Sequence, residues 1–600
     1  MIEVMKKVTV VCLESDRAKT VEALQDQGLV HVTNVVQPAS KSLDDLLKQQ
    51  EKLRKMLKEA DDRLPKSDGH QEKNAKIDPV FSLDDAVKLL DAIKSLEDEN
   101  VAIAKKLELL EPWGTFDFND IQKFKDRGIH IALCITGVGN TKLRQLPENA
   151  FIKEISQNQG VMAFAVISTE PLDDIQLPRA TIPEITDQFE LKRRLKQNKA
   201  QLDQCNADFI SLAENAKEAW NNYKVTLEDD IQLERAKIGM GNEGELAYLI
   251  GYVPEPKLDD VRNEAYRQGW AIRYEDIEED DHEVPTLLNI PKRFKIAQHI
   301  FDFIGILPGY FETDVSIAML IFLSLFCGML VGDAGYGALL TIASLVGLKK
   351  ATTEKAREIS QLSLLISLCI LGYGWLSGNW FGLPNQHLPK ILKGIPWLYD
   401  DVNQINIKLL CFFIGAFHTS LARAWQAYNV QQSKRQAAGH IGWGLFLWGN
   451  FFLAKVLICD GKSFGDLPLE GISLYIVGFT LILTCGIDWK SMEDLIYTPF
   501  SFVNSFVDVL SYIRLYAVGL SGVYIAQTFN DMAKGIYESS PFLIPVVILI
   551  LLAGHLLNIT MAAMSILVHA IRLNTLEFSG HIDVSWCGKP YKPLKKTQLD

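Results

Sequence analysis

The 600-residue sequence contains no G-x-x-x-x-G-K-[ST] stretch and no H-E-x-x-H. It therefore offers neither a phosphate-cradling loop nor a two-histidine metal helix, and no catalytic residue, cofactor or metal is expected. Its nine cysteines include no C-x-x-C and no paired spacing, and most stand in apolar runs. They read as buried thiols, not as a disulfide or metal framework. Positive charge is in deficit: 61 Lys and Arg against 74 Asp and Glu leave a net charge of −13, which argues against nucleic acid as a partner. Residues 1–16 include Glu3 and no long apolar region, so no signal peptide is predicted and insertion into a membrane falls to internal helices. Apolar runs are scarce before about residue 300 and dominate after it. The chain is also too long for one core.

The most informative of the later runs is residues 501–530, SFVNSFVDVLSYIRLYAVGLSGVYIAQTFN. It is apolar enough for a bilayer, yet Arg514 stands near its middle. A guanidinium stays protonated at any accessible pH, and placing one at mid-bilayer costs about 2.5–3.5 kcal/mol. On helical spacing Asn504, Asp508, Ser511, Arg514 and Ser521 share one side. Such an Arg either glues helices by a salt bridge or touches an ion pathway. A second run favours the pathway. In residues 541–580, His555, Asn558, Ser565, His569 and Arg572 fall on one stripe, with the small Ala562 among them. Two long helices, each with a polar stripe and an Arg, describe a wet path through a membrane.

The first 300 residues read differently. Residues 7–13 and 29–36 are β-rich and flank a short helix at 17–25, which makes a small α/β lobe. Charged helical segments follow at 42–58, 82–110 and 185–236, separated in part by a polar break at 65–76. Their apolar residues recur at three- and four-residue steps, which predicts a long antiparallel coiled coil; exposed helices of a globular domain are the alternative. Strands are expected at 129–136 and 161–168 for a second lobe, and at 246–253 and 270–274 returning to the first. The domains expected are thus 1–300, with lobes at 1–41 plus 237–290 and at 111–184 and a rod at 42–110 and 185–236, and a membrane domain at 301–600. About eight spans are predicted, at 316–332, 333–348, 359–378, 405–426, 440–459, 471–485, 497–529 and 542–573. Basic clusters at 349–357, 423–435 and 589–596 share one side if both termini are cytoplasmic. The last two spans, at about 1.5 Å per residue, exceed a hydrocarbon core of about 30 Å and must tilt or protrude.

SYIRLYAVGL with IAQTFN, and VHAIRLNTLEF with GKPYKPL, resemble the last two membrane helices of subunit I of V/A-type rotary ATPases, the equivalent of subunit a. LPGYFETD with LFCGMLVGDAGYG, the opening MKKVTVVCLESDRAKTVEALQDQGLVHV, and AYLIGYVPEPKLDDV extend the resemblance over nearly the whole chain. The resemblance implies a mostly α protein: a cytosolic two-lobe α/β domain joined by an antiparallel coiled coil, then a polytopic helical membrane domain ending in two long tilted helices. It implies a stator in a prokaryotic inner membrane that is not itself catalytic. Its implied partners are a proteolipid (c/K) ring, peripheral-stalk E/G heterodimers, the central-stalk C/d subunit, the soluble ATPase sector indirectly, and membrane lipids.

The implied ion path holds Arg514, Arg572, His569, Asp508, Glu577, Ser511, Asn504, Asn558 and Ser565. A ring carboxylate facing the two Arg residues is favoured as the anion, releases its H+ or Na+ on one side and reloads on the other. Two offset aqueous half-channels would connect those positions to the two compartments, and rotation would couple ion flow to ATP turnover. Asp508 is either a half-channel residue or a helix–helix pair, and His569 either a relay or a bundle hydrogen-bonder. His555 reads as structural, Glu577 as lining the cytosolic entrance, Glu312 and Asp314 as marking the start of the first span, and Asp333 as a loop or interface residue. Many relatives carry a Glu ten residues before the second Arg; here that position is Ala562. The rival readings are a secondary transporter, for which no inverted repeat with broken helices is visible, and a membrane scaffold, which leaves the two Arg stripes unexplained.

Overall fold

The computed structural model describes residues 2–64, 78–113, 118–137, 150–158, 161–171, 188–278, 280–383, 388–399, 404–487, 489 and 492–597. The expected polar break at 65–76 lies outside them. By proximity the chain divides into two units. One comprises Val11–Leu29, Asn34–Leu249 and Leu594–Asp600; the other comprises Met1–Val10, Val30–Thr33 and Ile250–Pro593.

The chain opens with strand β1 (Met5–Leu13), helix α1 (Arg17–Gln27) and strand β2 (His31–Thr33). Gly28 closes α1 in the left-handed region, at φ 66°, where a side chain would be strained. Three long helices follow: α2 (Lys41–Arg63), α3 (Pro79–Leu110) and, after the second lobe, α5 (Gln188–Ile238). Both α2 and α3 start at true caps. Ser40 Oγ accepts from the Leu43 N–H, and the Asp78 carboxylate accepts from the Val80 N–H, with Pro79 at the first helical position. One apolar seam joins the three helices: Leu53, Met56 and Ala60 of α2, Leu83, Ala86 and Leu90 of α3, Phe209, Ala213 and Trp220 of α5. Ion pairs Lys217–Asp61 and Arg194–Glu99, at 2.6 and 2.7 Å, fix the antiparallel sense. The predicted rod is therefore present, built on α5 as a single 51-residue helix, about 76 Å long at 1.5 Å per residue.

Between α3 and α5 lie helix α4 (Phe118–Lys125) and strands β3 (His130–Gly137), β4 (Phe151–Asn158) and β5 (Val161–Ser168), in the antiparallel order β3-β5-β4. Alternation puts Cys134, Phe164 and Val166 in one small core and Leu133, Ala163 and Ala165 in another with Trp113. β4 was not foreseen. Its sequence, FIKEISQN, is polar and lies at a sheet edge, with Phe151 exposed. After α5 come β6 (Gly241–Glu243), β7 (Leu246–Pro254), helix α6 (Leu258–Gln268), β8 (Ala271–Glu275) and the short β9 (Pro285–Thr286). A sheet of order β2-β7-β1-β8, with β6 beside β7, returns the chain to its first strand as expected.

The remaining helices are α7 (Gln298–Ile304), α8 (Ser316–Val331), α9 (Ala334–Lys350), α10 (Glu354–Ser377), α11 (Pro396–Tyr399), α12 (Ile405–Asn429), α13 (Lys434–Ala454), α14 (Leu469–Leu481), α15 (Met492–Ser511), α16 (Ile513–Ser539), α17 (Ile544–Ser565) and α18 (Ser579–Ile582). Strand β10 (Lys589–Pro590) pairs with β9. Among the described residues six helical segments are long and apolar enough to cross a membrane. The other two of the eight expected spans are α8 and α9, with 16 and 17 residues. At about 24–26 Å they fall short of a core of about 30 Å, so length alone carries six spans and not eight. The break between them is chemical. Gly332 takes φ 58°, and Asp333 caps α9 by accepting from the Gly335 and Tyr336 N–H groups at 2.7 and 3.1 Å. Helices approach closely at small residues: a Cβ on Gly374 would meet Ala334 N at 2.1 Å.

Candidate ion-translocation site

The expected long helix around Arg514 is two helices. α15 ends at Ser511 and α16 starts at Ile513, and Tyr512 between them makes the i→i+3 contacts of a tightened turn. Tyr512 is fully buried. Its ring lies against Gly415, where a Cβ would meet it at 2.7 Å, and its hydroxyl is 2.7 Å from His418 Nδ1. His418 in turn stacks on Phe578, with ring centroids 4.4 Å apart. The break thus seats Arg514 in the first turn of α16, held from behind by a packed aromatic cluster.

The second Arg segment is irregular too. After α17 the helix passes through π turns at Ile566–Ala570 and Leu573–Phe578, on either side of Arg572. In an α-helix, residues five apart point about 140° away from each other. A π turn closes i to i+5 and stacks them. Glu577 therefore comes beneath Arg572, and its Oε1 lies 3.7 Å from Arg572 Nε and 3.6 Å from Arg514 Nη1. One carboxylate oxygen faces both guanidinium groups. The Glu577 side chain is 4% exposed, Arg514 27% and Arg572 51%. Arg514 Nη2 donates to Ser511 Oγ at 3.3 Å, and Ser511 donates to the Val507 carbonyl.

In the last turn of α15, Asp508 joins a chain of charged and polar groups. Asp508 Oδ2 is 3.1 Å from His581 Nε2, an ion-pair distance without hydrogen-bond alignment. Arg423 Nε donates to His581 Nδ1 at 3.0 Å, and its Nη1 lies 3.4 Å from His440 Nδ1. Arg423 also lies over the Trp443 ring, 5.7 Å from its centroid. Arginine can only donate. His581 Nδ1 must therefore accept, and a neutral His581 carries its proton on Nε2, the nitrogen beside Asp508.

On the other side of Arg514 the neighbouring Leu515 borders a cavity of about 210 Å³. Ser377, Asn379, Gln404, Tyr516 and Gln527 supply its polar lining. Gln404 precedes α12 and Arg423 is near that helix's end, so the cavity and the charged chain belong to opposite ends of α12, with the Arg514–Glu577–Arg572 cluster between.

The other sequence-predicted residues divide. Asn558 is buried and donates to the Gly522 carbonyl at 2.9 Å and to the Tyr336 hydroxyl at 3.2 Å, while His555 Nδ1 lies 2.6 Å from that hydroxyl. These two residues latch α9, α16 and α17 together. Ser565 is half-buried, donates back to the Met561 carbonyl and borders a small cavity with Ser521 and Ala562. His569 is half-buried one α-turn before Arg572, inside the first π turn. Asn504 is exposed; its neighbour Ser505 is the buried residue, accepting from Asn450 Nδ2 at 3.1 Å. Glu312 accepts from the Gly309 and Ser585 N–H groups, and Asp314 from the Ser316 N–H at the start of α8. Sequence reasoning missed His418, His440, His581 and Tyr512, and it counted Arg423 among surface basic residues. The signal available was that Arg423 directly follows an apolar run, CFFIGAFHTSLA, at residues 411–422.

No family model matches the sequence. The chain is 30% identical over 638 aligned positions to "V-type ATP synthase subunit I 1" of Treponema pallidum, which covers 99% of this chain and all of that protein. It is 28% identical to "V-type ATP synthase subunit I" of Borreliella burgdorferi, again over 99% of this chain and all of the relative. It is 25% identical to "A-type ATP synthase subunit I" of Archaeoglobus fulgidus over 55% of this chain and 56% of that protein. With end-to-end similarity at that level, two intramembrane Arg segments and six apolar spans, this chain belongs to the subunit I family of V/A-type ATP synthases, membrane subunits equivalent to the stator subunit a.

Proposed function

We propose that residues 301–600 form the two half-channels of the stator and that Arg514 and Arg572 together are the fixed cation between them. The observation that carries this reading is the order of groups along α12 and the α15–α16 segment: polar cavity, paired guanidinium groups, then the Asp508–His581–Arg423 chain with His581 buried at its centre. A ring carboxylate arriving from lipid is protonated or metal-bound, since a bare charge there is costly. Opposite Arg514 and Arg572 it is favoured as the anion, so its ion leaves by one half-channel and is replaced from the other. Asp508 and His581 are the groups that would hand the ion across the charged side, and Ser511 positions Arg514. His569 and Ser565 line the approach to Arg572. Arg suits the separating role because its own proton does not leave.

Residues 1–300 are read as the cytosolic tether, with both termini in the cytoplasm and peripheral-stalk E/G coiled coils bound at the two lobes. The proteolipid ring, the central-stalk C/d subunit and surrounding lipid are the remaining proposed neighbours, and ATP turnover belongs to the soluble sector. Support for the tether comes from the rod, whose apolar seam is used internally and whose other faces are charged, and from the lack of any nucleotide motif. The test of the whole reading is Arg514→Lys in the assembled complex. It keeps the charge and loses the planar fork. Assembly is expected to survive while ATP-driven ion uptake into vesicles is abolished; normal pumping by the assembled variant would sink the reading.

A further inference from the structure

The Arg514–Glu577–Arg572 cluster holds two permanent cations and one carboxylate, and its geometry is unusual for a structural salt bridge. Neither contact reaches hydrogen-bond length, at 3.6 and 3.7 Å, and both use the same oxygen. Arg514 Nη1 and Glu577 Oε2 have no hydrogen-bond partner among the described residues. A structural pair in a buried site spends its donors on bidentate bonds. This one leaves Arg514 Nη1 unspent and bonds Nη2 to Ser511 Oγ instead of to the carboxylate. The other carboxylate of the region, Asp508, is matched to His581. Around Glu577 stand Leu573, Asn574 and Phe578, all buried, so water does not replace the missing partners freely.

We propose that Glu577 is a resident counter-anion: it holds the site at one net positive charge instead of two, and so lets the ring carboxylate bind Arg514 and Arg572 without being trapped by them. This rests on the fixed-cation reading above and adds what regulates its grip. With Glu577 in place, an arriving carboxylate brings the site to neutrality and uses the unspent Arg donors. Without it, the same carboxylate faces two cations and leaves one still uncompensated. An opposite charge within about 4–6 Å shifts a carboxylate's ionisation by roughly 1–3 powers of ten. One charge more or less in this cluster therefore changes how readily the ring carboxylate is let go. The cluster needs the π turn to exist, since five residues of α-helix would turn Glu577 away from Arg572.

The experiment uses the complete complex reconstituted in vesicles, with ATP hydrolysis and ATP-driven ion uptake followed together. Glu577→Gln keeps the shape and removes the charge. The assembled variant is expected to turn over roughly tenfold more slowly, the low end of that range, with the ratio of ions moved to ATP hydrolysed unchanged. Glu577→Gln with Ser511→Asp moves the anion to a position whose side chain already touches Arg514. That double variant is expected to recover most of the lost rate, which a purely structural role for Glu577 would not allow. Wild-type turnover in Glu577→Gln overturns the proposal. Hydrolysis without transport overturns it too, because it marks Glu577 as a wall of the path and not as a brake on grip. If Glu577→Gln does not assemble, the double variant decides: recovery of assembly and turnover supports the charge role, and failure of both overturns it. Arg514→Lys in the same vesicles tests the fixed cation separately, since normal pumping there defeats the underlying reading whatever Glu577 does.

Discussion

The rod and the last two membrane segments are both long helical stretches with many polar residues, and they handle them in opposite ways. In the rod, α5 runs 51 residues without a break, and its ion pairs, such as Arg194–Glu99 and Lys217–Asp61, keep one or both partners well exposed. Exposed pairs of this kind contribute about 0–1 kcal/mol each, so the seam of Leu, Met, Phe and Trp carries the stability. In the membrane segments the groups that face the arginines sit inside. Glu577 and His581 are buried, and the helices give up regularity to reach them: a break at Tyr512, π turns on both sides of Arg572. Where side chains only have to face water, α-geometry suffices. Where several charged groups must converge on one point, the backbone has to bend to bring them there.

The sharpest way to break this comparison is at Arg572. Arg572→Ala removes a permanent cation that no neighbour on its segment replaces. Coupled ion uptake by assembled complexes is expected to fall by at least about a hundredfold, as when one pre-positioned charge-stabilising donor is lost. Near-normal uptake would leave Arg514 acting alone and the second irregular segment without a function.

The counterpart in the rod is Trp220→Ala. Trp220 is fully buried and donates from Nε1 to Ser82 Oγ at 3.0 Å. Truncating such a side chain costs about 3–5 kcal/mol, while the Ser82 hydroxyl keeps its donation to the Pro79 carbonyl at 3.1 Å. Hydrogen exchange of α3 and α5 amides is expected to quicken strongly, while ion uptake per assembled complex stays within about twofold of wild type, rod stability and site chemistry being separable in the way distant sites are. A large loss of uptake with full assembly would show that the rod does more than hold.

The two regions also differ in how far they could be read from the sequence. The rod is legible because a regular helix obeys one period, and Leu53, Leu83, Ile93 and Trp220 fall where that period puts them. β1 and β7 were equally plain, their alternation of apolar residues matching a sheet. Arg514 and Arg572 stood out because charge in an apolar run is costly. Of their partners, Ser511 was legible, on the same helix side as Arg514, but the contact of Glu577 with both arginines was not. A 100° step carries Glu577 away from Arg572, and only a π turn brings it back. Arg423, His440 and His581 come from three separate helical segments, so no spacing along one helix reveals that they meet. Tyr512 looks like one more apolar residue until Gly415 and His418 are placed around it.

The smallest effect is expected at Arg423, and it separates two roles that the structure superimposes. Arg423 puts a third positive charge beside the path, and by donating to His581 Nδ1 it also forces the histidine's proton onto Nε2, toward Asp508. Arg423→Gln keeps a donor of similar reach and removes the charge. Arg423→Met removes both while filling much of the space. If the tautomer is what matters, Gln should be nearly silent. Met should slow ion uptake by roughly fivefold, since a free imidazole divides its proton between two nitrogens and turns, yet water can still carry part of the load. That loss is well short of the hundredfold or more that follows removal of a general acid or base, because His581 and Asp508 both remain. If the charge is what matters, Gln and Met should be equally slow. The measurement is uptake rate in vesicles for the two variants side by side, with assembly confirmed for each. Equal and unchanged rates would assign the Arg423–His581 contact to packing, and would place it with the rod's ion pairs on the side of the comparison where charge only meets its surroundings.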